Sequence, residues 1–177
     1  VDVGLEHTCA LLADGRVMCW GRNADFQLGT GDNVNQLTPV FVKSEETNNP
    51  DLAGIVEIAV GDYHGCGRRS NGDVWCWGRS TQLGTGVDEI HQRATKSLAT
   101  NASQLVAGSL HTCALGADGR VRCWGNDANN QLGNGESLTN ALSPTLVASP
   151  TNVVSLGTSR IHTCAVTAIG TTYSVRW

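Results

Sequence analysis

At 177 residues, with 40% apolar residues and 21 glycines, the chain has the size of one turn-rich domain or of part of a larger one. Its net charge of −4 supplies no basic face for nucleic acid, and the doublet Arg68-Arg69 reads as solvated surface. No apolar run approaches the length of a membrane-spanning helix.

Val1-Asp2-Val3-Gly4 reads as the end of a strand whose start is missing. With no initiator methionine and no signal peptide, the sequence is expected to be a processed or excised piece. The next stretch, His7-Thr8-Cys9-Ala10-Leu11-Leu12-Ala13-Asp14-Gly15-Arg16-Val17-Met18-Cys19-Trp20-Gly21, is a hairpin by its own chemistry. Both arms alternate apolar with polar or small residues, as half-buried strands do. Asp14-Gly15 sits between them, where a tight turn needs a residue that accepts positive φ. A three-residue loop, Ala13-Asp14-Gly15, pairs Leu12 with Arg16, Leu11 with Val17, Ala10 with Met18 and Cys9 with Cys19. Alternation from hydrogen-bonded Leu12 and Arg16 makes the cysteines a non-hydrogen-bonded pair, whose side chains approach most closely, within reach of a disulfide.

A glycine-rich loop follows, Asn23-Ala24-Asp25-Phe26-Gln27-Leu28-Gly29-Thr30-Gly31, in which Leu28 is expected to plug the core. Thr38-Pro39-Val40-Phe41-Val42 reads as an edge strand opened by proline. Lys43-Ser44-Glu45-Glu46-Thr47-Asn48-Asn49-Pro50-Asp51 is a polar, acidic connection, and it holds much of a ten-residue surplus over the second unit.

The order then repeats. Ile55 to Gly61 leads to His64-Gly65-Cys66, Asn71-Gly72, Cys76-Trp77-Gly78, Gln82-Leu83-Gly84 and a weaker outer strand over Arg93 to Leu98. Ser103 to Gly108 leads to a close copy of the first hairpin, His111 to Gly125, with Cys113 and Cys123 again ten apart. Gln131-Leu132-Gly133 and Ser143 to Val147 complete that unit. Asn152 to Gly157 leads to His162-Thr163-Cys164-Ala165-Val166, after which the pattern fades. Ten residues after Cys164 stands Ser174, and aligning Val175-Arg176 with Val121-Arg122 puts Trp177 at the cysteine position. Cys164 is therefore the odd thiol, and the last strand is an unreliable part of a blade.

The opening cysteines Cys9, Cys66, Cys113 and Cys164 lie 57, 47 and 51 residues apart. A period near fifty with one hairpin per unit points to a propeller or an array. Each unit supplies four strands, a blade that buries its faces only against its neighbours around an axis. The units run over residues 1–54, 55–102, 103–151 and 152–177. The expected fold is thus all-β, with four-stranded blades.

Regularly placed cysteines favour disulfides Cys9–Cys19, Cys66–Cys76 and Cys113–Cys123 in an oxidising compartment, extracellular or periplasmic. Free buried thiols and metal binding are the alternatives. Metal sites usually draw on closer spacings than ten residues across a hairpin, and no metal or cofactor is expected. His7, His64, His111 and His162 recur once per unit, which favours a structural role such as bonding a neighbouring backbone group over catalysis.

The run Gly-x-x-His-Thr-Cys-Ala-Leu, Asp-Gly-x-Val-x-Cys-Trp-Gly, Asn-x-x-x-Gln-Leu-Gly-x-Gly and x-Pro-x-x-Val resembles the regulator of chromosome condensation repeat. It is most similar to the cysteine-containing versions of bacterial secreted proteins. The resemblance implies a β-propeller, with this chain making about half of a seven-bladed ring. Roles in that family include nucleotide exchange on a small GTPase, β-lactamase inhibition and protein or membrane-surface binding, and fold alone does not choose among them. Disulfide-type cysteines argue against the cytoplasmic exchange reaction.

The leading expectation is an extracellular binding module that meets a protein or cell-surface partner through its loops. Glu45, Glu46, Asn48, Asn49 and Asp51 are the candidate contact residues, since individuality on a repeated scaffold lies in insertions. One alternative is a structural component closed by further copies or by the remainder of the ring. Another is a serine hydrolase using Ser109 or Ser159 near His111 or His162, although no Gly-x-Ser-x-Gly elbow is present.

Overall fold

The protein is described from a computed structural model over residues 1–46, 50–136, 139–169 and 172–176. The first blade comprises β1 (Asp2–Val3), β2 (His7–Leu11), β3 (Val17–Gly21) and β4 (Gln36–Phe41), hydrogen-bonded in chain order. The second comprises β5 (Ile55–Val60), β6 (His64–Arg69), β7 (Val74–Gly78) and β8 (His91–Lys96). The third comprises β9 (Ala102–Ala107), β10 (His111–Gly116), β11 (Val121–Asn126) and β12 (Asn140–Leu146). A fourth sheet holds β13 (Val153–Thr158), β14 (Thr163–Ile169) and β15 (Thr172–Arg176). Every pairing within a blade is antiparallel, and β5, β9 and β13 pack in succession as the inner strands of neighbouring blades.

The central hairpins have the expected register. Cys9 faces Cys19, Cys66 faces Cys76 and Cys113 faces Cys123. Their sulfurs are bonded at 2.14, 2.20 and 2.10 Å. The first loop closes with Leu12 N–H donating to the Arg16 carbonyl at 2.9 Å and Gly15 N–H donating to the Leu12 carbonyl at 3.0 Å. Gly15 has φ +82°, the left-handed conformation that such a bulged loop demands. The aspartate before it, Asp14, accepts from the Arg16 amide at 3.1 Å through Oδ1, and Asn71 and Asp118 do the same for Asp73 and Arg120.

In the fourth sheet Ala165 faces Arg176 and Val166 faces Val175, as Ala114 faces Arg122 and Leu115 faces Val121. The alignment of Val175-Arg176 with Val121-Arg122 is thus the one the backbone adopts, and β15 pairs as a blade strand. Cys164 is a free thiol, half-buried.

Burial is organised between blades. The face of each hairpin that carries the disulfide looks toward the following blade, and the tryptophan face looks back. Trp75 and Trp77 share a core with Cys9, Val17, Cys19, Leu28 and Val42 of the first blade. Trp124 shares one with Val74, Cys76 and Leu83 of the second. Leu28, Leu83 and Leu132 are buried plugs, one in each loop. Their loops are tied by the polar residues around them: Asn23 and Asp127 accept the amides of Leu28 and Leu132, and Gln27 and Gln131 accept those of Asp25 and Asn129.

Blades are also sewn together through backbone. Ile55, Ala102 and Val153 N–H donate to the carbonyls of Gly15, Gly72 and Gly119, so each hairpin tip receives the start of the next inner strand. Pro39 and Pro144 lie in the outer strands β4 and β12, where the pairing shifts register and a missing N–H costs no ladder bond.

Candidate functional site

The first inter-blade connection carries the candidate contact residues. Its flanks fold back on themselves: Ser44 N–H donates to the Pro50 carbonyl at 3.0 Å, and Leu52 N–H to the Val42 carbonyl at 2.8 Å. The same segment lies along β8 of the second blade. Glu45 N–H donates to the Ala94 carbonyl at 3.0 Å, and Ala94 N–H to the Lys43 carbonyl at 2.8 Å. The connection therefore covers part of an outer strand edge, a place that otherwise presents unpaired backbone groups.

Its described carboxylates are all engaged. Glu46 accepts a two-pronged bond from Arg69, at 2.9 Å to Oε1 and 2.7 Å to Oε2. The bond from Arg69 holds the Glu46 carboxyl below its ordinary range, and the same contact raises the Arg69 guanidinium. Arg69 also donates to the Ala53 carbonyl and lies 4.7 Å from the Trp75 ring centre. Glu45 meets His91 Nδ1 at 2.9 Å, and Asp51 accepts from Lys43 Nζ at 2.5 Å. Asn48 and Asn49 lie outside the described residues.

Sequence reading did not find the partners Arg69, His91 and Ala94, which stand 23 to 51 residues further along the chain. It also placed Arg68-Arg69 on solvated surface. Instead Arg68 is paired with Glu57 at 2.7 Å, and the two arginine side chains are only 18% and 21% exposed. The doublet closes β6, a central strand of its blade whose four preceding residues are all buried.

The repeated histidines also have a different partner from the backbone group expected. His64 Nε2 meets Thr112 Oγ1 at 2.8 Å, and His111 Nε2 meets Thr163 Oγ1 at 2.9 Å, each reaching the next blade. Each ring packs on the glycine three residues before it; a Cβ on Gly61 or Gly108 would fall within 2.2 or 2.1 Å of the imidazole. Burial pushes His64 down to about 3 and His7 and His111 down to about 4, so these rings are neutral junction elements.

Ser109 donates its hydroxyl to Asp62 rather than to His111. Ser159 Oγ lies 3.3 Å from His162 Nδ1 on the exposed surface, and among the described residues no carboxylate orients that ring. Among the described residues no group of three or more His, Cys, Asp or Glu side chains is arranged to hold a metal. Nor, among the described residues, is any helix long and apolar enough to cross a membrane.

Antiparallel four-stranded blades packed face to face, with interlocked junctions, define a β-propeller. The chain belongs to the regulator of chromosome condensation repeat family: the Regulator of chromosome condensation (RCC1) repeat matches residues 14–67 and 118–166, and a second profile of the same repeat matches 55–82 and 102–131. It is 37% identical over 92 residues to Protein pim1 of Schizosaccharomyces pombe, covering 47% of this chain and 17% of that protein. It is 33% identical over 107 residues to the Ultraviolet-B receptor UVR8 of Arabidopsis thaliana, covering 58% and 23%. Yeast RCC1 (Prp20), solved bound to Kap60, superposes with a TM-score of 0.75 at 24% identity, over 92% of this chain and 38% of that one. The chain thus spans less than a quarter of these curated relatives.

Proposed function

We propose that the chain is an extracellular or periplasmic interaction module, of the secreted bacterial type, that meets a protein or cell-surface partner through its inter-blade connections. Its three disulfides support an oxidising compartment. The observation that carries the reading is the first connection. It is the longest departure from an otherwise repeated scaffold, and its flanks are pinned to β8 by backbone bonds and by Glu46–Arg69. Two relatives lend the general role: one is named as a receptor, and the yeast protein is bound to another chain in its structure.

The test compares partners captured from the extracellular milieu by the wild-type chain and by Asn48→Ala/Asn49→Ala with Glu45→Ala. Loss of a captured protein, with unfolding unchanged, supports the connection as the contact surface. An identical captured set rejects it. A second reading is assembly through blade contacts between copies of the chain. Sedimentation as a function of concentration separates the two.

A further inference from the structure

We propose that Asn71 is a site of spontaneous deamidation, and that its isoaspartyl product opens the seam between the second and third blades. The three disulfide hairpins end in the same turn. Two of them carry an aspartate before the glycine, Asp14-Gly15 and Asp118-Gly119, whereas the second carries Asn71-Gly72. A carboxamide has ammonia to lose where a carboxylate does not, so this difference makes the second tip the reactive one of the three. Asn71 is also exposed to the water that the reaction consumes.

The turn favours the reaction in three ways. Asn71 Oδ1 accepts the Asp73 amide at 3.0 Å. That bond folds the side chain back along the turn, and it polarises Cγ as a donor aimed at a developing oxyanion does. Nδ2 donates to Asp73 Oδ2 at 3.1 Å, which holds the leaving group in place. Gly72 has no side chain to shield its nitrogen, and the tip has no room for one: a Cβ would lie 2.7 Å from Asn101 Cα. In the reaction the Gly72 nitrogen gives its proton to solvent base and bonds to Asn71 Cγ, the Cγ–Nδ2 bond breaks, and ammonia leaves. Water then opens the cyclic imide. Cleavage of its nitrogen from Cγ yields aspartate. Cleavage from the main-chain carbonyl carbon yields isoaspartate, with the chain now running through Cβ. Neither route needs an oxidant or a reductant.

Two backbone bonds restrain the tip. Gly72 N–H donates to the Arg69 carbonyl and Arg69 N–H to that of Asp73, both at 2.9 Å. The Gly72 nitrogen is released only when the turn opens, a local event of low cost at an exposed tip. The two products then differ in effect. Aspartate keeps an acceptor for the Asp73 amide, as Asp14 and Asp118 do for Arg16 and Arg120. Isoaspartate inserts a methylene into the backbone just before Gly72, whose carbonyl receives the Ala102 amide at 3.0 Å at the start of the third blade. Shifting that carbonyl leaves the Ala102 amide without its acceptor. The tip is separate from the first connection, so either reading can fail alone.

The test incubates the folded chain at mildly alkaline pH beside a chain unfolded in urea, and follows conversion by peptide mass spectrometry. Mapping resolves Asn71 from Asn134, the other asparagine that precedes glycine. Conversion at Asn71 is expected in both samples, about tenfold to a hundredfold more slowly in the folded chain because the turn must open first. The converted protein should exchange the Ala102 amide hydrogen faster. Freshly prepared Asn71→Asp should keep that amide protected, as should Asn71→Ser after the same incubation, since its hydroxyl still accepts the Asp73 amide. Three results overturn the proposal. One is an intact Asn71 in the folded chain after about a hundred half-times of the unfolded one. Another is unchanged Ala102 exchange in protein that carries isoaspartate at position 71. The third is an equal loss of Ala102 protection in incubated Asn71→Ser.

Discussion

His64 and Thr112 join the second blade to the third through a buried contact of 2.8 Å between Nε2 and Oγ1, and His111 repeats it with Thr163. At the first junction His7 has the same place in its blade, but the residue where threonine would stand is Gly65. There the Trp77 indole occupies the space: a Cβ on Gly65 would fall 2.5 Å from its Cζ2. Both ring nitrogens of His7 and the indole nitrogen of Trp77 are buried without a partner among the described residues. One small residue in one repeat thus replaces the histidine–threonine contact of the next two junctions with a glycine packed on an indole.

Thr112→Val keeps the shape of the side chain and removes the hydroxyl, leaving His64 Nε2 unpaired. A loss of about 1–3 kcal/mol is expected in urea unfolding. Gly65→Ala has the more discriminating outcome. On backbone entropy alone it should stabilise by about 0.4–1 kcal/mol, whereas the collision with Trp77 should cost about 1–3 kcal/mol. The second effect is expected to win; a stabilised Gly65→Ala protein would show that Trp77 does not fill that space.

The junction histidines set a pH dependence. His7 and His111 fall to about 4 and His64 to about 3, with burial the largest cause in each. In the unfolded chain each regains an ordinary value near 6.5. Between those limits the unfolded state binds more protons, so stability is complete above about pH 6.5 and declines as pH falls toward 4. Asp14, Glu46, Asp73 and Asp118 are also held low, by hydrogen bonds to Arg16, Arg69, Lys96 and the Arg120 amide respectively. Their loss has the same sign but begins only as their unfolded carboxyls protonate, near pH 4. Thermal unfolding recorded from pH 7 to 4.5 should therefore show a falling midpoint, about where carboxylates contribute little. A flat profile over that interval would falsify the neutral burial of these rings.

What could be seen in the residues was what is local. The ten-residue cysteine spacing and the Asp-Gly turn determine one hairpin register, and the single leucine of each glycine-rich loop has only the core to enter. The His64–Thr112 contact joins residues 48 apart on different blades, so no spacing within one unit contains it. Asn23 and Gln27 read only as loop polarity, because capping a buried leucine amide depends on how the loop curls. The pairing of Glu46 with Arg69 and of Glu45 with His91 was hidden for the same reason: composition shows an acidic connection, while its counter-charges come from the next blade.

Each disulfide links cysteines ten apart, closing a loop of eleven residues. On the chain-entropy model such a loop contributes about 2.5–3 kcal/mol. Non-reducing peptide mapping should recover Cys9–Cys19, Cys66–Cys76 and Cys113–Cys123 with Cys164 free. Cys9→Ala/Cys19→Ala should lower stability by roughly that amount. A peptide linking two different blades would contradict the register of the hairpins.

Glu46 gives the sharpest separation between scaffold and surface within the first connection. Its paired bonds to Arg69 tie the connection to β6, while the Glu45 amide ties it to β8. The pair is partly solvated, at 34% and 21% exposure, so it is worth less than a buried one. Glu46→Ala is therefore expected to cost about 0.5–1 kcal/mol globally. Locally the effect should be larger, because the Glu45 and Ser44 amides lose the anchor that holds their segment against the blade. Hydrogen exchange should speed up at those two amides and at Ala94, leaving the disulfide hairpins unchanged. Exchanging the charges, Glu46→Arg with Arg69→Glu, should recover part of the protection if the ion pair is the anchor. Unaltered exchange in Glu46→Ala would mean that the backbone bonds to Ala94 hold the connection unaided.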